Sequence, residues 1–130
     1  MDLLIYTVIG LTVTWALYST YMYVATRASE GLSAKPLYTV FPQLEHIDGK
    51  ALVYCFSPGC GPCRPMSKEV AILAARGAAV FSLDISQHGG LSRELGVRAA
   101  PTLIVIENHA IGRMVLGVKT AGHMQALLDS

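Results

Sequence analysis

Charge is scarce in this chain. Lys and Arg number 10 and Asp and Glu 9, together 15% of 130 residues, for a formal net charge of +1. That balance leaves no basic field for nucleic acid and no acidic tail. Cysteine is rarer still. Cys55, Cys60 and Cys63 are the only three, too few for a disulfide-rich scaffold. No internal repeat and no low-complexity tract is present.

The scarcity of charge is uneven. From Leu3 to Thr26 there is none at all. A helix needs about 20 apolar residues to cross a hydrocarbon core, so this run is long enough to span with some tilt. Trp15, Tyr18, Tyr21 and Tyr23 gather toward its C-terminal end, as an aromatic belt at the headgroup level would. A cleaved signal peptide wants a basic n-region, which Met1-Asp2 does not supply, and an apolar core of roughly 7–15 residues. A soluble core helix would show a polar face, and this run has none. The pattern predicts a retained membrane anchor over 3–26.

Residues 27–36 break the run with charge, Gly, Ser and Pro and read as a linker. About 100 residues follow, enough for one small domain with one core, placed at 37–130. Leu37–Phe41 is expected as a short first strand and Pro42–Ile47 as a helical turn. Asp48-Gly49 is a turn signal. Ala51–Ser57 reads as a buried strand and Arg64–Arg76 as a helix, with Pro65 in its first turn and Gly77 as its stop. Ala79–Ile85 is a second, largely apolar strand. Leu91–Leu95 is a short helix ended by Gly96. Thr102–Glu107 and Ala110–Leu116 form a hairpin about Asn108-His109, and Thr120–Asp129 a closing helix. This order predicts an α/β domain: a mixed central sheet with helices on both faces, behind one transmembrane helix.

Cys60-Gly61-Pro62-Cys63 falls at the junction of strand and helix. Two thiols at that spacing can close into a disulfide with little backbone movement. Near a helix N-terminus, unpaired N–H groups and the helix dipole favour the thiolate, the nucleophile of disulfide exchange. The geometry makes Cys60 the attacking sulfur and Cys63 the resolving one.

Together with Ala100-Pro101-Thr102 opening the hairpin, Asp84-Ile85, Gly96-Val97 and Gly117, this motif resembles the thioredoxin family. The resemblance covers residues 37–130 and implies the thioredoxin fold. It also implies that Pro101 is cis, opposite the redox pair, and that the Ala100 backbone pairs with an extended substrate segment. Gly59, Gly61, Pro62, Ala100, Pro101 and Gly117 are then the substrate-binding and supporting residues around the catalytic Cys60 and Cys63. The Gly-Pro dipeptide resembles that of reducing members. No prosthetic group is implied beyond the Cys60–Cys63 disulfide, so electrons would come from an upstream dithiol protein and pass to a disulfide-bearing client.

Three positions depart from the family. Pro58-Gly59 stands where it usually has a Trp. Tyr54 stands at its buried acid, and Ser82 at the lysine paired with that acid. Losing both charges leaves neither buried and unpaired. It leaves Tyr54 or water as the proton acceptor for Cys63, both weak bases near neutrality.

Other chemistry finds less support. Cys55, between Tyr54 and Phe56, reads as an inert buried thiol. His46, His88, His109 and His123 are scattered, and no second Cys-x-x-Cys exists to complete a metal site. Arg64 follows Cys63 where haem attachment needs His. Arg64, Lys68 and Arg98 read as solvated surface charge rather than partners of the Cys60 thiolate.

The expected function is a membrane-tethered thiol–disulfide oxidoreductase that reduces protein disulfides. The alternatives are a docking module with incidental redox activity, or a metal-handling chaperone. The resemblance points to a single-pass protein of a bacterial cytoplasmic membrane with an extracytoplasmic domain. Arg27 and Lys35, after a helix with nothing basic before it, point instead to the cytoplasmic side.

Overall fold

The computed structural model describes residues 1–27 and 30–130. The linker expected over 27–36 therefore lies in part, at 28–29, outside the described residues.

Helix α1 runs Asp2–Arg27. Its stretch Asp2–Ala25 is long and apolar enough to cross a membrane, and none of it is buried in the fold. Polar hydroxyls within an apolar run need partners where water is absent. Three threonines find them on their own helix: Thr7 donates to Leu4 O (2.8 Å), Thr12 to Ile9 O (2.9 Å) and Thr14 to Gly10 O (2.8 Å).

The sheet has four strands in the order β2-β1-β3-β4. Strand β1 is Lys50–Phe56, β2 Val80–Asp84, β3 Thr102–Glu107 and β4 Ala110–Leu116. β1 pairs parallel with β2 and antiparallel with β3, and β3 pairs antiparallel with β4, so the sheet is mixed as expected. Helix α2, Cys63–Ala75, makes the crossover between β1 and β2. Helices α3 (Gly89–Leu95) and α4 (Ala121–Asp129) complete the domain. The β3–β4 turn is the two-residue loop Asn108-His109, both with positive φ, the twist that suits a tight hairpin.

Alternation along β1 sorts its side chains between two cores. Ala51, Val53 and Cys55 pack on one side with Leu37, Leu44, Leu83 and Leu95. Leu52 and Tyr54 pack on the other with Cys63, Met66, Leu73 and Met124, beneath α2 and α4. Thr120 caps α4 by accepting from His123 N–H (3.2 Å), and the Glu69 carboxylate on α2 accepts from Ala121 N–H (2.8 Å). That second bond ties the two helices together at an end where negative charge is favoured.

One expected strand is absent. Leu37–Phe41 does not join the sheet, and Lys35–Thr39 is instead a short 3-10 helix. Pro36 fixes the backbone of its first turn. Leu37 N–H bonds to Ala34 O (2.9 Å) and Val40 N–H to Leu37 O (3.1 Å). Leu37 is fully buried while Thr39 is exposed, so one side chain plugs the core in place of an alternating row. The N-terminal region reaches the sheet slightly earlier, through a bridge between Ser33 and Ala110.

Candidate active site

β1 ends at Phe56, and α2 begins with Cys63 after Pro62 as its N-cap residue. The connecting turn is closed by Cys60 N–H bonding to Ser57 O (3.1 Å), and Arg64 N–H bonds to Gly61 O (3.2 Å). Cys60 and Cys63 form a disulfide with Cα atoms 5.3 Å apart. The two sulfurs are not equivalent. Cys63 is buried at 3% exposure among Tyr54, Met66 and Leu103, whereas Cys60 is half-buried on the turn.

The same end of the sheet carries the proline loop. Ala100–Pro101 is a cis peptide, and Thr102 immediately after it sits opposite Cys55 in the register. Gly117 N–H donates to Pro101 O (3.1 Å), and Thr102 Oγ1 donates to Ala99 O (2.7 Å). Gly117 has φ +93°, a conformation that favours glycine. Ala100 and Cys60 both pack against the core cluster that contains Cys63. Around Gly59 and Gly61 a side chain would meet nothing, so the surface over the turn is open.

Tyr54 reaches this site from beneath. Its hydroxyl donates to the Cys63 carbonyl (2.9 Å) and lies 2.9 Å from Ser67 Oγ. A phenol has one proton, and here it is on the Cys63 carbonyl, so Ser67 is the donor of the second bond. Burial pushes the Tyr54 phenol upward, partly offset by Ser67 and reinforced by Cys55. With its proton held at the backbone carbonyl and its oxygen taken by Ser67, Tyr54 is a poor acceptor for the Cys63 thiol proton. Ser67 was missed from sequence. Its position four residues after Cys63, on the same helix face, was the available signal. Ser82 lies directly opposite Tyr54 in the β1–β2 register and is exposed on an edge strand.

Cys55 projects to the opposite face of the sheet from Cys63. Burial pushes its thiol up to about 12, far from a reactive thiolate at neutral pH. No group of three His, Cys, Asp or Glu side chains among the described residues is placed to hold a metal. Arg98 lies over the Tyr21 ring, 5.8 Å from its centroid.

A family model for thioredoxin matches residues 40–130. The chain is 29% identical to thioredoxin of Pseudomonas aeruginosa over 86 residues, covering 64% of this chain and 80% of that protein. Among solved structures it is similar to thioredoxin F from spinach chloroplast, with 29% identity and a TM-score of 0.54. That match covers 62% of this chain and 74% of the other. It is also similar in fold to Fasciola hepatica thioredoxin, with 20% identity, a TM-score of 0.61 and coverage of 69% and 88%. The matched region, the mixed sheet and the disulfide at the strand–helix junction define a thioredoxin-fold redox protein. The chain belongs to the thioredoxin family.

Proposed function

We propose that this protein is a membrane-tethered thiol–disulfide oxidoreductase acting as a reductant of protein disulfides. The observation that carries the reading is the asymmetric pair: Cys60 half-exposed on an open turn, Cys63 buried behind it. In the reduced form, the Cys60 thiolate attacks one sulfur of a client disulfide and the other leaves as a thiolate that takes up a proton. The resulting mixed disulfide lies against Ala100 and Pro101. Cys63, having lost its proton to water, attacks the Cys60 sulfur and expels the client's second thiolate. Two electrons pass to the client, and the Cys60–Cys63 disulfide remains. An upstream dithiol protein restores the reduced pair, and no cofactor takes part in these steps.

The Gly-Pro dipeptide supports a reductant. For scale, the reducing archetype lies near about −270 mV and a strong oxidant near about −120 mV. α1 supplies the tether, which puts clients or donors at the membrane, and the resemblance supports a bacterial membrane. The resemblance to anchored family members favours an extracytoplasmic domain.

The test is reduction of insulin by the full chain in detergent with dithiothreitol as donor, beside Cys60→Ser. Turnover by the wild type and none by the variant is expected. An inactive wild type would favour a docking module, a reading that the replacement of the family's buried acid by Tyr54 also supports. Parallel alkaline phosphatase and cytoplasmic fluorophore fusions at Ser130 assign the side of the membrane.

A further inference from the structure

The sheet has a disulfide end and a far end. Cys55, Thr102 and Leu116 are register neighbours at the first, and Lys50, Glu107 and Ala110 at the second. After α1 the chain runs along β4 toward the far end. Gly31 N–H donates to Ile111 O (2.6 Å), Ile111 N–H to Leu32 O (2.7 Å) and Ala34 N–H to His109 O (2.9 Å). The helix itself lies toward the other end. Met22, Tyr23 and Arg27 line a cleft of about 650 Å³ with Glu30, Arg113, Met114 and Leu116. One residue further toward the N-terminus, Tyr21 lies under the guanidinium of Arg98, two residues before Ala100 in the proline loop. Followed from Arg27 toward Asp2, α1 therefore passes along β4, reaches the disulfide end and leaves the domain there. The disulfide end points the way the helix goes.

The length of the helix gives the depth. A hydrocarbon core of about 30 Å takes about 20 residues at about 1.5 Å each. Counted from Leu3, that run ends near Met22, so Tyr21 and Tyr23 sit where an aromatic belt meets the headgroups. Arg98 touches α1 at this level. At the disulfide end of β4, Leu116 lines the cleft with Met22 and Tyr23 and is exposed at 41%, and Val118, next to Lys119 in the chain, at 46%; Leu32 and Ile72 are as exposed elsewhere in the domain. Exposed apolar side chains at this level, with Arg98 on α1 and Lys119 following Val118, suit a layer of anionic headgroups over acyl chains.

We propose that the disulfide end of the domain rests on the headgroup layer through Arg98, Leu116, Val118 and Lys119. The Cys60–Cys63 pair then works at the membrane surface, on client disulfides held within the same layer. This rests on the reading of α1 as a membrane span.

The test uses the full oxidised chain in nanodiscs of phosphatidylcholine and phosphatidylglycerol containing a lipid with a nitroxide on its headgroup. With Cys60 and Cys63 joined and Cys55 buried, Val118→Cys provides the one accessible thiol for a fluorophore. Asp48→Cys, at the far end beside His109 (3.8 Å), is the control. Leu116→Cys is a second site at the disulfide end should Val118→Cys not fold. Quenching several-fold stronger at 118 or 116 than at 48 is expected. Equal quenching, or stronger quenching at 48, in chains that co-purify with the discs overturns the orientation alone. A folded chain that does not co-purify with the discs overturns the membrane-span reading, and the orientation with it.

Discussion

The Tyr54 hydroxyl donates to the backbone carbonyl of Cys63 and not to a titrating partner. The side chain at the family's acid position thus holds the first turn of α2 against the centre of the sheet. Tyr54→Phe keeps the ring and removes this bond. It should lower stability by about 0.5–1.5 kcal/mol, the usual net value of a hydrogen bond. The shape of the pH–activity profile should not change, because Tyr54 is not the proton acceptor. Urea melts and reductase rates between pH 6 and 9.5 check both expectations, and a changed pH profile would assign Tyr54 to proton transfer.

Wild-type reductase activity should rise with pH across the range where a free thiol titrates, near about pH 8.5, because no buried carboxylate assists Cys63. Tyr54→Asp combined with Ser82→Lys places an acid and a base at directly opposed positions of β1 and β2. The pair should move the rise to lower pH. It should also cost roughly 1–4 kcal/mol, since a carboxylate replaces a buried aromatic body in the core while its lysine partner stands on the exposed edge strand. A wild-type profile already flat from pH 6.5 upward would show that another base serves Cys63.

Capture needs the exposed sulfur and release needs the buried one. Cys63→Ser should therefore accumulate a mixed disulfide with the client, and Cys60→Ser should accumulate none. Non-reducing gels of membranes from the two variants read the difference, and mass spectrometry of the adduct identifies the client. Equal adduct yields would remove the assigned order of attack.

Cys55 predicts the alkaline behaviour of the fold. Its thiol ionises near 9.0 when unperturbed and is pushed up to about 12 by burial. Between these values the unfolded chain has lost a proton that the folded chain keeps, so the folded state is disfavoured as pH rises. The stability contributed is complete below about pH 9 and is lost progressively toward about pH 12, by roughly 1 kcal/mol per pH unit. Tyr54, also raised, adds with the same sign at higher pH. In the oxidised chain, Cys55→Ala should give a shallower decline of stability above pH 9 than the wild type. Parallel slopes would mean that Cys55 does not ionise on unfolding in this range.

Much of the fold was legible because its signals are local. The Asn108-His109 turn, the stop at Gly96 and the run Ala51–Ser57 all act within a few residues. The Cys60–Cys63 spacing on a strand–helix junction needs nothing distant to be recognised. The segment 37–41 was misread because a short apolar run suits a strand or a buried turn equally. Burial of Leu37 against Leu44 and Leu95 settles the choice.

By itself the amino-acid order determined a charge-free helix, an alternating set of strands and helices, and a dithiol at one junction. Tertiary structure alone decided that Cys55 and Cys63 lie on opposite faces of one sheet. It alone set the Tyr54 hydroxyl between Ser67 and the Cys63 carbonyl, and brought α1 alongside β4 with Tyr21 beneath Arg98. Positions far apart in the chain meet only when their elements pack: Tyr21 with Arg98, Gly31 with Ile111, Glu69 with Ala121. Whether a hydroxyl is a proton acceptor or a structural bond depends on which of those neighbours arrives.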